Sequence, residues 1–452
     1  MTAALLPLSA MPKIEWPAVP SPAGASMLAL QWQLEQAERA PAPAIRAGQL
    51  EQLRALLAHA VAHVPRYRTL LRDIGIRSAA ELDEQRFLSL PILSKETVRA
   101  ERDALLAAKW PASHGDGFDV PTSGSTGQPV RVRHTRVSEF FFHALVVREH
   151  LLHRRDLSRK FGAIRLAAAK RSSPEWGVMS AMFATGPSCV IDALAGVDAQ
   201  LDWLLAEQPA YLIGHPTNLR ALIQQANAAN RRPPGLLQLL AFGETLPPDL
   251  RAMAREAWGV PVVDNYSCRE VGPLAFQCPE GAAYHVHAEN VLLEVLRKDG
   301  TPCAPGETGR VVVTPLHNFA MPLLRYEIGD YAEVAAPCAC GRTLPALGRI
   351  LGRSTAMAVD PTGRRFWPGL RASLLTPIAP FRQLRLVQHA VDRIELLYVM
   401  DRELSAPERA AVAGALAEML GYAFHFDLTR ASALERSAGG KFEDFISRVQ
   451  GP

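Results

Sequence analysis

The sequence predicts an α/β protein with a large N-terminal domain and a small C-terminal α+β domain. Three observations support this fold class. Short apolar runs alternate with helical patterns between residues 211 and 264, strand-like runs separated by Gly/Pro turns fill 289–334, and a shorter mixed unit follows Arg353. Alternating strands and helices favour a largely parallel sheet, whereas consecutive strands favour a meander. The large domain should therefore combine α/β sheets with a β-rich subdomain.

Individual elements follow from the periodicity of apolar residues. Helices are expected from Gly48 to about Arg72 and from Glu139 to Leu152. Strands are expected at 211–214, 239–242 and 260–264. After Arg353 the pattern predicts strand, strand, helix, helix and strand. A chain of 452 residues is too long for one core, and we divide it into an irregular N-terminal arm at 1–47, a large domain at 48–352 and a small domain at 353–452.

The composition excludes several classes of protein. The net charge of +4 comes from interleaved acidic and basic residues, which argues against a nucleic-acid partner. No apolar window is long enough to predict a membrane helix. The first residues lack a basic region, and Pro7 interrupts their apolar run, so no signal peptide is expected. Six cysteines in so long a chain do not indicate a disulfide scaffold, and we expect a cytoplasmic protein.

The segment Thr122–Pro129, with the sequence TSGSTGQP, has the composition of a phosphate-binding loop. Its glycines allow close approach of the backbone to a ligand, and its N–H and hydroxyl groups can donate to phosphate oxygens. It lacks the Gly-Lys-Ser/Thr ending of a Walker loop. The alternative is a surface turn rich in Ser and Gly. The residues expected to contact phosphate are Ser123, Gly124, Ser125, Thr126 and Gly127.

This loop resembles the phosphate-loop signature of the acyl-adenylate-forming superfamily, which includes acyl-CoA synthetases, nonribosomal peptide adenylation domains and luciferases. The order of the downstream motifs is similar to the phenylacetate–CoA ligase branch, over roughly residues 48–450. Gln128 stands where the family usually has Lys. The resemblance implies the adenylate-forming enzyme fold, with a mobile small domain, and implies ATP and Mg²⁺ as cofactors.

Two motifs would hold the nucleotide by this resemblance. They are PheGlyGlu at 242–244, with Gly243 and Glu244, and DNYSCRE at 264–270. The resemblance implies that Tyr266 stacks on adenine, that Asp264 or Asn265 meets its amino edge, and that Glu270 binds Mg²⁺, which prefers carboxylate oxygen.

Ser267 and Arg269 replace the usual Gly and Thr of this second motif, and Ser267 would narrow the floor of the acyl pocket. The alternative is that Tyr266 is a core aromatic residue and Glu270 a surface carboxylate.

A third motif is RYEIGD at 325–330, in which Asp330 would accept hydrogen bonds from both ribose hydroxyls. A lone Gly-Asp pair is also common in turns.

In the segment linking the two domains, Arg353 would contact ribose or phosphate, and Thr355 and Ala356 stand where the family usually has its Asp pivot. Lys441 would act on the α-phosphate and the acid carboxylate, where its charge stabilises the developing negative charge. Its alternative is a basic tail.

Four further residues have the chemistry of a zinc site: Cys278, His285, Cys338 and Cys340. Thiolate and imidazole ligands select zinc, and a closed set of four makes the site structural. Some relatives carry zinc in this arrangement. His287 is an alternative ligand, and unliganded buried cysteines are the alternative explanation. The other three cysteines, at 189, 268 and 303, lack partners and are expected to be structural.

The pocket for the acid would be formed by the helix after the phosphate loop and by strand ends. The alternative for Phe141 and His143 is that they are ordinary core and surface residues, which is the commoner case, and the resemblance favours aromatic acids. The candidate residues are Phe141, His143, Val147, His215, Pro216, Phe242, Gly243 and Ser267.

Together these assignments predict an AMP-forming ligase that converts a carboxylic acid to an acyl-adenylate and then to a coenzyme A thioester. Pyrophosphate leaves in the first step, and in the second the small domain rotates about residues 353–356. The acceptor could instead be an amine or a carrier-protein thiol. Adenylyl transfer to a small molecule and an inactive binding homologue also remain open. No nucleic-acid or membrane partner is expected, and a homodimer is left open.

Overall fold

In the computed structural model the chain forms two compact units. The structure describes residues 6–73, 78–122, 129–167, 169–437 and 441–449. Unit 1 comprises residues 1–157, 178–184 and 265–350, and unit 2 comprises residues 158–177, 185–264 and 351–452.

The helices of the described residues are α1 (Pro22–Ala37), α2 (Ala42–His63), α3 (Pro65–Asp73), α4 (Glu84–Leu88), α5 (Lys95–Ala100), α6 (Arg102–Leu105), α7 (Arg136–Leu152), α8 (Val197–Glu207), α9 (Pro216–Ala228), α10 (Leu250–Trp258), α11 (Ala372–Leu375) and α12 (Ala406–Leu420). Short 3₁₀ turns occur at Ala79–Glu81, Ala112–His114, Gly177–Ala181 and Ser354–Ala356.

The strands are β1 (Gly117–Pro121), β2 (Arg131–Thr135), β3 (Phe161–Arg165), β4 (Arg171–Ser173), β5 (Ser188–Asp192), β6 (Tyr211–Gly214), β7 (Gln238–Phe242), β8 (Val262–Cys268), β9 (Gly272–Gln277), β10 (Tyr284–Val286), β11 (Val291–Leu296), β12 (Thr308–Pro315), β13 (Tyr326–Val334), β14 (Ala346–Arg353), β15 (Ala358–Val359), β16 (Arg365–Phe366), β17 (Gln383–Ala390), β18 (Arg393–Val399), β19 (His425–Ala431) and β20 (Phe445–Ser447).

Unit 1 is built on an antiparallel sheet in the order β11-β12-β13-β14-β10-β9-β8. Val-rich β12 pairs on one side with β11 and on the other with β13, as the predicted β-rich subdomain requires. At the other edge β8 pairs with β9, and the register shifts between Tyr266 and Ser267. This shift leaves Tyr266 buried and Ser267 exposed.

Helices α2 and α3 pack their apolar faces into the core of unit 1, where Leu53, Leu56 and Leu57 are fully buried. The prediction of one continuous helix to about Arg72 was wrong, because the helix breaks at Val64. This residue has extended φ and ψ angles of −113° and 114°. Pro65 explains the break, since a proline disfavours helical angles in the residue before it.

The N-terminal arm was expected to be irregular, and this was wrong for α1. Ser21 begins the helix, and its side chain accepts a hydrogen bond from the Gly24 N–H. Pro22 follows at the first helical position, where its missing N–H costs nothing. Met27 and Leu34 are buried. The proline and alanine content therefore marked a helix start as well as a loop.

Unit 2 contains the predicted parallel sheet, with strands in the order β7-β6-β3-β5-β4. The pairs β6/β7, β3/β6 and β3/β5 are parallel, and β4 adds an antiparallel edge. The strands expected at 211–214 and 239–242 are confirmed as β6 and β7. Helices α8, α9 and α10 cover a core that includes Leu212, Leu239 and Trp258.

The C-terminal part of unit 2 has a four-stranded mixed sheet in the order β19-β18-β17-β20. Two helices were expected before the last predicted strand, but α12 is continuous through Gly414. A capping box begins it: the Ser405 side chain accepts from the Glu408 N–H, and Glu408 accepts from the Ser405 N–H. Val412, Leu416 and Leu420 bury one face of α12.

Across the described residues, every helix falls short of the length or the apolar character that crossing a membrane requires.

Candidate active site

The predicted adenine-binding and ribose-binding residues meet in unit 1. Tyr266 lies on β8 and Asp330 on β13, and the tyrosine hydroxyl donates a 3.2 Å hydrogen bond to Asp330 Oδ2. Only 6% of Tyr266 is exposed. Asp330 follows Gly329, whose positive φ of 82° suits a glycine. The fold thus places together two side chains separated by 64 positions in the sequence.

The predicted magnesium ligand, Glu270, is buried in the same unit. Tyr326 donates a 3.1 Å hydrogen bond to Glu270 Oε1, and Lys95 Nζ lies 3.8 Å from the same oxygen. A buried carboxylate with a cation and a hydroxyl beside it is a suitable ligand for Mg²⁺. Sequence reasoning missed both neighbours. Tyr326 could have been found, because it lies in the same motif as Asp330.

Lys95 reaches this position because its segment is joined to β13. The Leu93 N–H donates to the Arg325 carbonyl, and the Glu327 N–H donates to the Leu93 carbonyl, both at 2.9 Å. Ser94 then begins α5 by accepting from the Thr97 N–H. No motif in the sequence marks Lys95, since the contact depends on pairing across more than 200 residues.

The predicted phosphate loop, Ser123, Gly124, Ser125, Thr126 and Gly127, lies outside the described residues. The segments that flank it are paired. The Thr122 N–H donates to the Val130 carbonyl, and the Val130 N–H donates to Thr122 Oγ1, both at 2.8 Å. The flanks of the loop are therefore the paired ends of β1 and β2.

Among the acid-pocket candidates of unit 1, Phe141 stacks on His317 with ring centroids 3.7 Å apart. His317 Nδ1 donates a 3.2 Å hydrogen bond to Asn290 Oδ1, and burial lowers the pKa of His317 to about 4. His143 is half-buried, and burial lowers its pKa. Val147 is fully buried in α7. Sequence reasoning missed His317, which carries no motif.

In unit 2 the candidates His215, Phe242 and Gly243 lie together, with Pro216 at the first position of α9. The His215 ring stacks on Phe242 at 4.6 Å, and His215 Nδ1 lies 3.1 Å from the Phe242 carbonyl oxygen. Gly243 has φ +75°. A Cβ there would lie 3.2 Å from His215 Cε1 and 3.6 Å from Lys441 Cε. Lys441 therefore packs beside the glycine of the predicted nucleotide motif.

The carboxylate of Glu244 accepts hydrogen bonds from other residues of unit 2. Its Oε1 accepts from the Phe442 N–H at 2.7 Å, and its Oε2 accepts from the Thr217 N–H at 3.1 Å. Arg436 Nη1 lies 3.9 Å from Oε1. Both oxygens of this predicted nucleotide ligand thus have protein donors.

Of the three remaining candidates, two lie within a strand and one ends a strand. Asp264 and Asn265 are consecutive in β8, where Asp264 is buried and Asn265 half-buried. Arg353 ends β14, and its carbonyl accepts from Trp367 Nε1 at 3.1 Å. A Cβ at the preceding Gly352 would overlap Thr245 Oγ1. The predicted pivot, residues 353–356, is thus a strand end followed by a 3₁₀ turn.

The four predicted zinc ligands lie together in unit 1, with all their ligand atoms within 4.8 Å of one another. The Sγ atoms of Cys278 and Cys338 are 3.9 Å apart, and Cys340 Sγ lies 3.3 Å from His285 Nε2. A tetrahedral zinc–thiolate site has edges of about 3.8 Å, so this set fits zinc. The alternative ligand, His287, instead has its Nδ1 3.4 Å from Arg148 Nη1.

Arg342 braces this cluster. The Arg342 backbone N–H donates to Cys340 Sγ at 3.5 Å, and its side-chain Nε donates to Glu38 Oε2 at 2.8 Å. Burial raises the pKa of the Cys278 thiol to about 12. At Cys340 burial acts in the same direction, but hydrogen bonds from Arg342 bring its pKa below the ordinary value. The remaining cysteines, 189, 268 and 303, are free thiols.

The chain is similar to known enzymes over much of its length. Residues 110–320 match the model of the AMP-binding enzyme family. The chain is 27% identical over 345 residues to a phenylacetate–coenzyme A ligase of Thermus thermophilus, covering 71% of this chain and 73% of the relative. It is 27% identical over 362 residues to the ligase of the same description from Escherichia coli, covering 72% and 75%.

Solved structures agree on the fold. A 2-hydroxyisobutyryl-CoA ligase in complex with 2-HIB-AMP is 20% identical, with a TM-score of 0.71 and 91% of each chain covered. The anthranilate CoA ligase AuaEII in complex with anthranoyl-AMP is 16% identical, with a TM-score of 0.54, 87% of this chain covered and 78% of that one.

Residues 110–320 therefore carry an AMP-binding enzyme domain, which supports the resemblance to the acyl-adenylate-forming superfamily. Within the superfamily the chain is similar to phenylacetate–coenzyme A ligases, over 71% to 72% of its length.

Proposed function

We propose that the protein is an ATP-dependent, AMP-forming acid–CoA ligase that activates a carboxylic acid, of the aromatic class, as its acyl-adenylate. The observation that carries this proposal is the Tyr266–Asp330 hydrogen bond, and in the same unit Tyr326 holds the buried Glu270. A flat aromatic face suits a purine, and a carboxylate suits a ribose diol. These groups supply nucleotide recognition in unit 1, together with the loop at 123–127.

In the first step the acid carboxylate attacks the α-phosphorus of ATP, a P–O bond forms, and pyrophosphate leaves. The charge that develops on the phosphoryl oxygens needs cationic partners, and catalysis of this kind depends on positioning and charge neutralisation. We assign Lys441 to this task. Its ammonium carries the positive charge, and its side chain is placed by contact with Gly243.

Glu270 is the residue that would hold Mg²⁺, which would supply positive charge to the phosphates of ATP. Lys95, 3.8 Å from Glu270, balances the buried carboxylate. The cluster of Cys278, His285, Cys338 and Cys340 would hold one structural zinc. Four protein ligands leave no position for substrate, so this zinc would stabilise the fold and take no part in the reaction.

In the second step the thiol of coenzyme A attacks the acyl carbon of the mixed anhydride, and AMP leaves. The same anhydride could acylate an amine or a carrier-protein thiol, so the acceptor has to be identified by experiment. Rotation of the small domain about residues 353–356, a homodimer and a cytoplasmic location remain predictions.

The direct test measures pyrophosphate release from ATP across a panel of aromatic and aliphatic acids, with and without coenzyme A. We expect release with an aromatic acid, AMP as the nucleotide product, and a thioester when coenzyme A is present. Release that needs an amine would instead indicate amide synthesis. If no acid supports release, the proposal is wrong and the chain is an inactive homologue.

A further inference from the structure

The segment that carries Lys441 is held by a residue of the small sheet. Arg385 on β17 donates from Nη2 to the Glu435 carbonyl and from Nε to the Glu443 carbonyl, both at 2.8 Å. The Ser437 N–H donates to the Lys441 carbonyl at 2.8 Å. We call residues 434–437 and 441–444 the Lys441 segment. These bonds set its local shape.

One carboxylate joins the Lys441 segment to the parallel sheet. Glu244, two residues after β7, accepts from the Phe442 N–H at 2.7 Å. Its second oxygen accepts from the N–H of Thr217 in the first turn of α9. A carboxylate at a helix N-terminus is stabilised by the free N–H groups there. Glu244 therefore bridges a strand end, a helix start and the Lys441 segment.

The surroundings strengthen this bridge. The side chain of Glu244 is only 6% exposed, so its hydrogen bonds are shielded from water. Arg436 Nη1 lies 3.9 Å from Glu244 and donates to Thr217 Oγ1 at 3.0 Å. Two guanidinium groups lie close to the Phe442 ring, with Arg385 Cζ 4.5 Å and Arg436 Cζ 5.5 Å from its centroid.

The bridge determines the position of Lys441. Phe442, whose N–H is bound, directly follows Lys441, and Gly243, which Lys441 Cε approaches, directly precedes Glu244. The pairs 243–244 and 441–442 therefore lie side by side. We propose that Glu244 is a positioning residue whose carboxylate holds the Lys441 segment against the parallel sheet during the adenylation step. We call this contact the latch. This inference rests on the proposed function.

A latch of this kind is releasable. It consists of the hydrogen bonds from the Phe442 N–H to Glu244 and from Arg436 to Thr217, with the Arg436 cation 3.9 Å from Glu244. These contacts are polar, and the apolar cluster that contains Phe442 is formed by residues of the small sheet and of the Lys441 segment itself, so the segment can leave without breaking a side-chain core. The second half-reaction does not need Lys441 at the phosphate, because AMP is then the leaving group. Loss of the latch should therefore slow adenylation and leave thioester formation intact.

Glu244→Gln tests this inference, because the amide keeps the shape but presents only one acceptor oxygen to two N–H donors. We expect kcat for acid-dependent pyrophosphate release to fall about 10- to 100-fold, as small misplacements of catalytic groups do. The KM for ATP should stay within about 2-fold. Thioester formation from a synthetic acyl-adenylate should proceed at the wild-type rate, which also shows that the variant is folded.

Glu256→Gln is the matched control, because Glu256 is exposed on α10 in the same unit. It should behave as wild type in both half-reactions. Glu244→Asp, which keeps the charge but shortens the side chain, should recover part of the adenylation rate.

Two outcomes would overturn the inference. A raised KM for ATP with unchanged kcat would mean that Glu244 binds the nucleotide, as its motif suggests. An equal loss in both half-reactions would mean that its role is only structural.

Hydrogen exchange of the Phe442 amide gives a readout that does not depend on activity. We expect faster exchange in Glu244→Gln than in wild type and in Glu256→Gln. Equal rates would refute the latch. A wild-type enzyme that releases no pyrophosphate with any acid would refute the proposed function, and the exchange experiment would still decide on the latch.

Discussion

The two units hold their functional groups in different ways. In unit 1 the groups are side chains on strands and turns that bond to other side chains, as in the pairs Tyr266–Asp330 and Tyr326–Glu270. In unit 2 Lys441 lies on a segment that is joined to the parallel sheet and to helix α9 by hydrogen bonds from the Phe442 N–H to Glu244 and from Arg436 to Thr217. The first kind of contact is fixed by the register of the sheet. The second can be made and broken.

This difference matches two kinds of chemical demand. Recognition of a nucleotide needs a site that is already formed, because ordering mobile side chains on binding costs free energy and weakens the affinity for the nucleotide. A lysine needed in only one of two half-reactions gains from a reversible attachment. The Cys/His cluster of unit 1 is an extreme case of the fixed kind, since its ligands are held by each other and by Arg342.

The largest effect is expected from Lys441→Ala. Without its charge the adenylation rate should fall on the order of 10²- to 10³-fold, the effect of losing one group that stabilises a charged transition state. The dissociation constant for ATP, measured by calorimetry, should change little.

Lys170→Ala is the control, since Lys170 is exposed in the same unit. An unchanged rate in Lys441→Ala would remove the proposed role and with it the contrast between the units.

Loss of a zinc ligand should lower the stability of unit 1 as a whole. In Cys338→Ser we expect metal analysis to find no zinc, against one per chain in wild type. The free energy of unfolding should fall on the order of several kcal/mol, because metal binding contributes to folding. Cys303→Ser, outside the cluster, should keep its zinc. Wild-type protein without zinc would show that the cluster is a set of free thiols.

A smaller and more specific effect is expected from Glu270→Gln. The amide is a weaker ligand for a hard cation, so the Mg²⁺ concentration for half-maximal adenylation should rise about tenfold. Thermal unfolding should stay close to wild type, because the amide can still accept from Tyr326. If the magnesium dependence does not change, another residue holds the metal.

The smallest effect concerns pH. Burial lowers the pKa of His134 and of His317 to about 4, against 6.5 in the unfolded chain. Between these values the unfolded chain binds more protons, so stability falls as the pH falls from 6.5 towards 4. Each histidine should cost about 1 kcal/mol at pH 5.5 relative to pH 7.5.

Denaturant unfolding at the two pH values measures this cost. The His317→Gln variant should lose less stability on acidification than wild type. The control is His425→Gln in unit 2, since His425 is largely exposed, and it should match wild type. Identical pH dependence in all three proteins would show that His317 does not titrate as its burial requires.

Much of the fold followed from local patterns. The parallel strands β6 and β7 and helix α7 lie where apolar periodicity predicts them, because each buries a regular face. Two predictions failed for identifiable reasons. Helix α1 was hidden by prolines that in fact begin it, and Pro65 broke a helix that periodicity alone would have continued.

The candidate site also combines features that the sequence predicts with features that only the structure shows. The sequence by itself determined the residue types and their order: an aromatic residue, two carboxylates, a lysine and a Cys/His set, each recognisable because its chemistry suits a nucleotide, a phosphate or a metal. Only the tertiary structure decided their partners. The partners in each contact come from segments far apart in the chain. The contacts are the Lys95–Glu270 ion pair, the Phe141–His317 ring stack and the hydrogen bond from the Phe442 N–H to Glu244. Such contacts depend on strand register and helix packing, which no local stretch of sequence encodes.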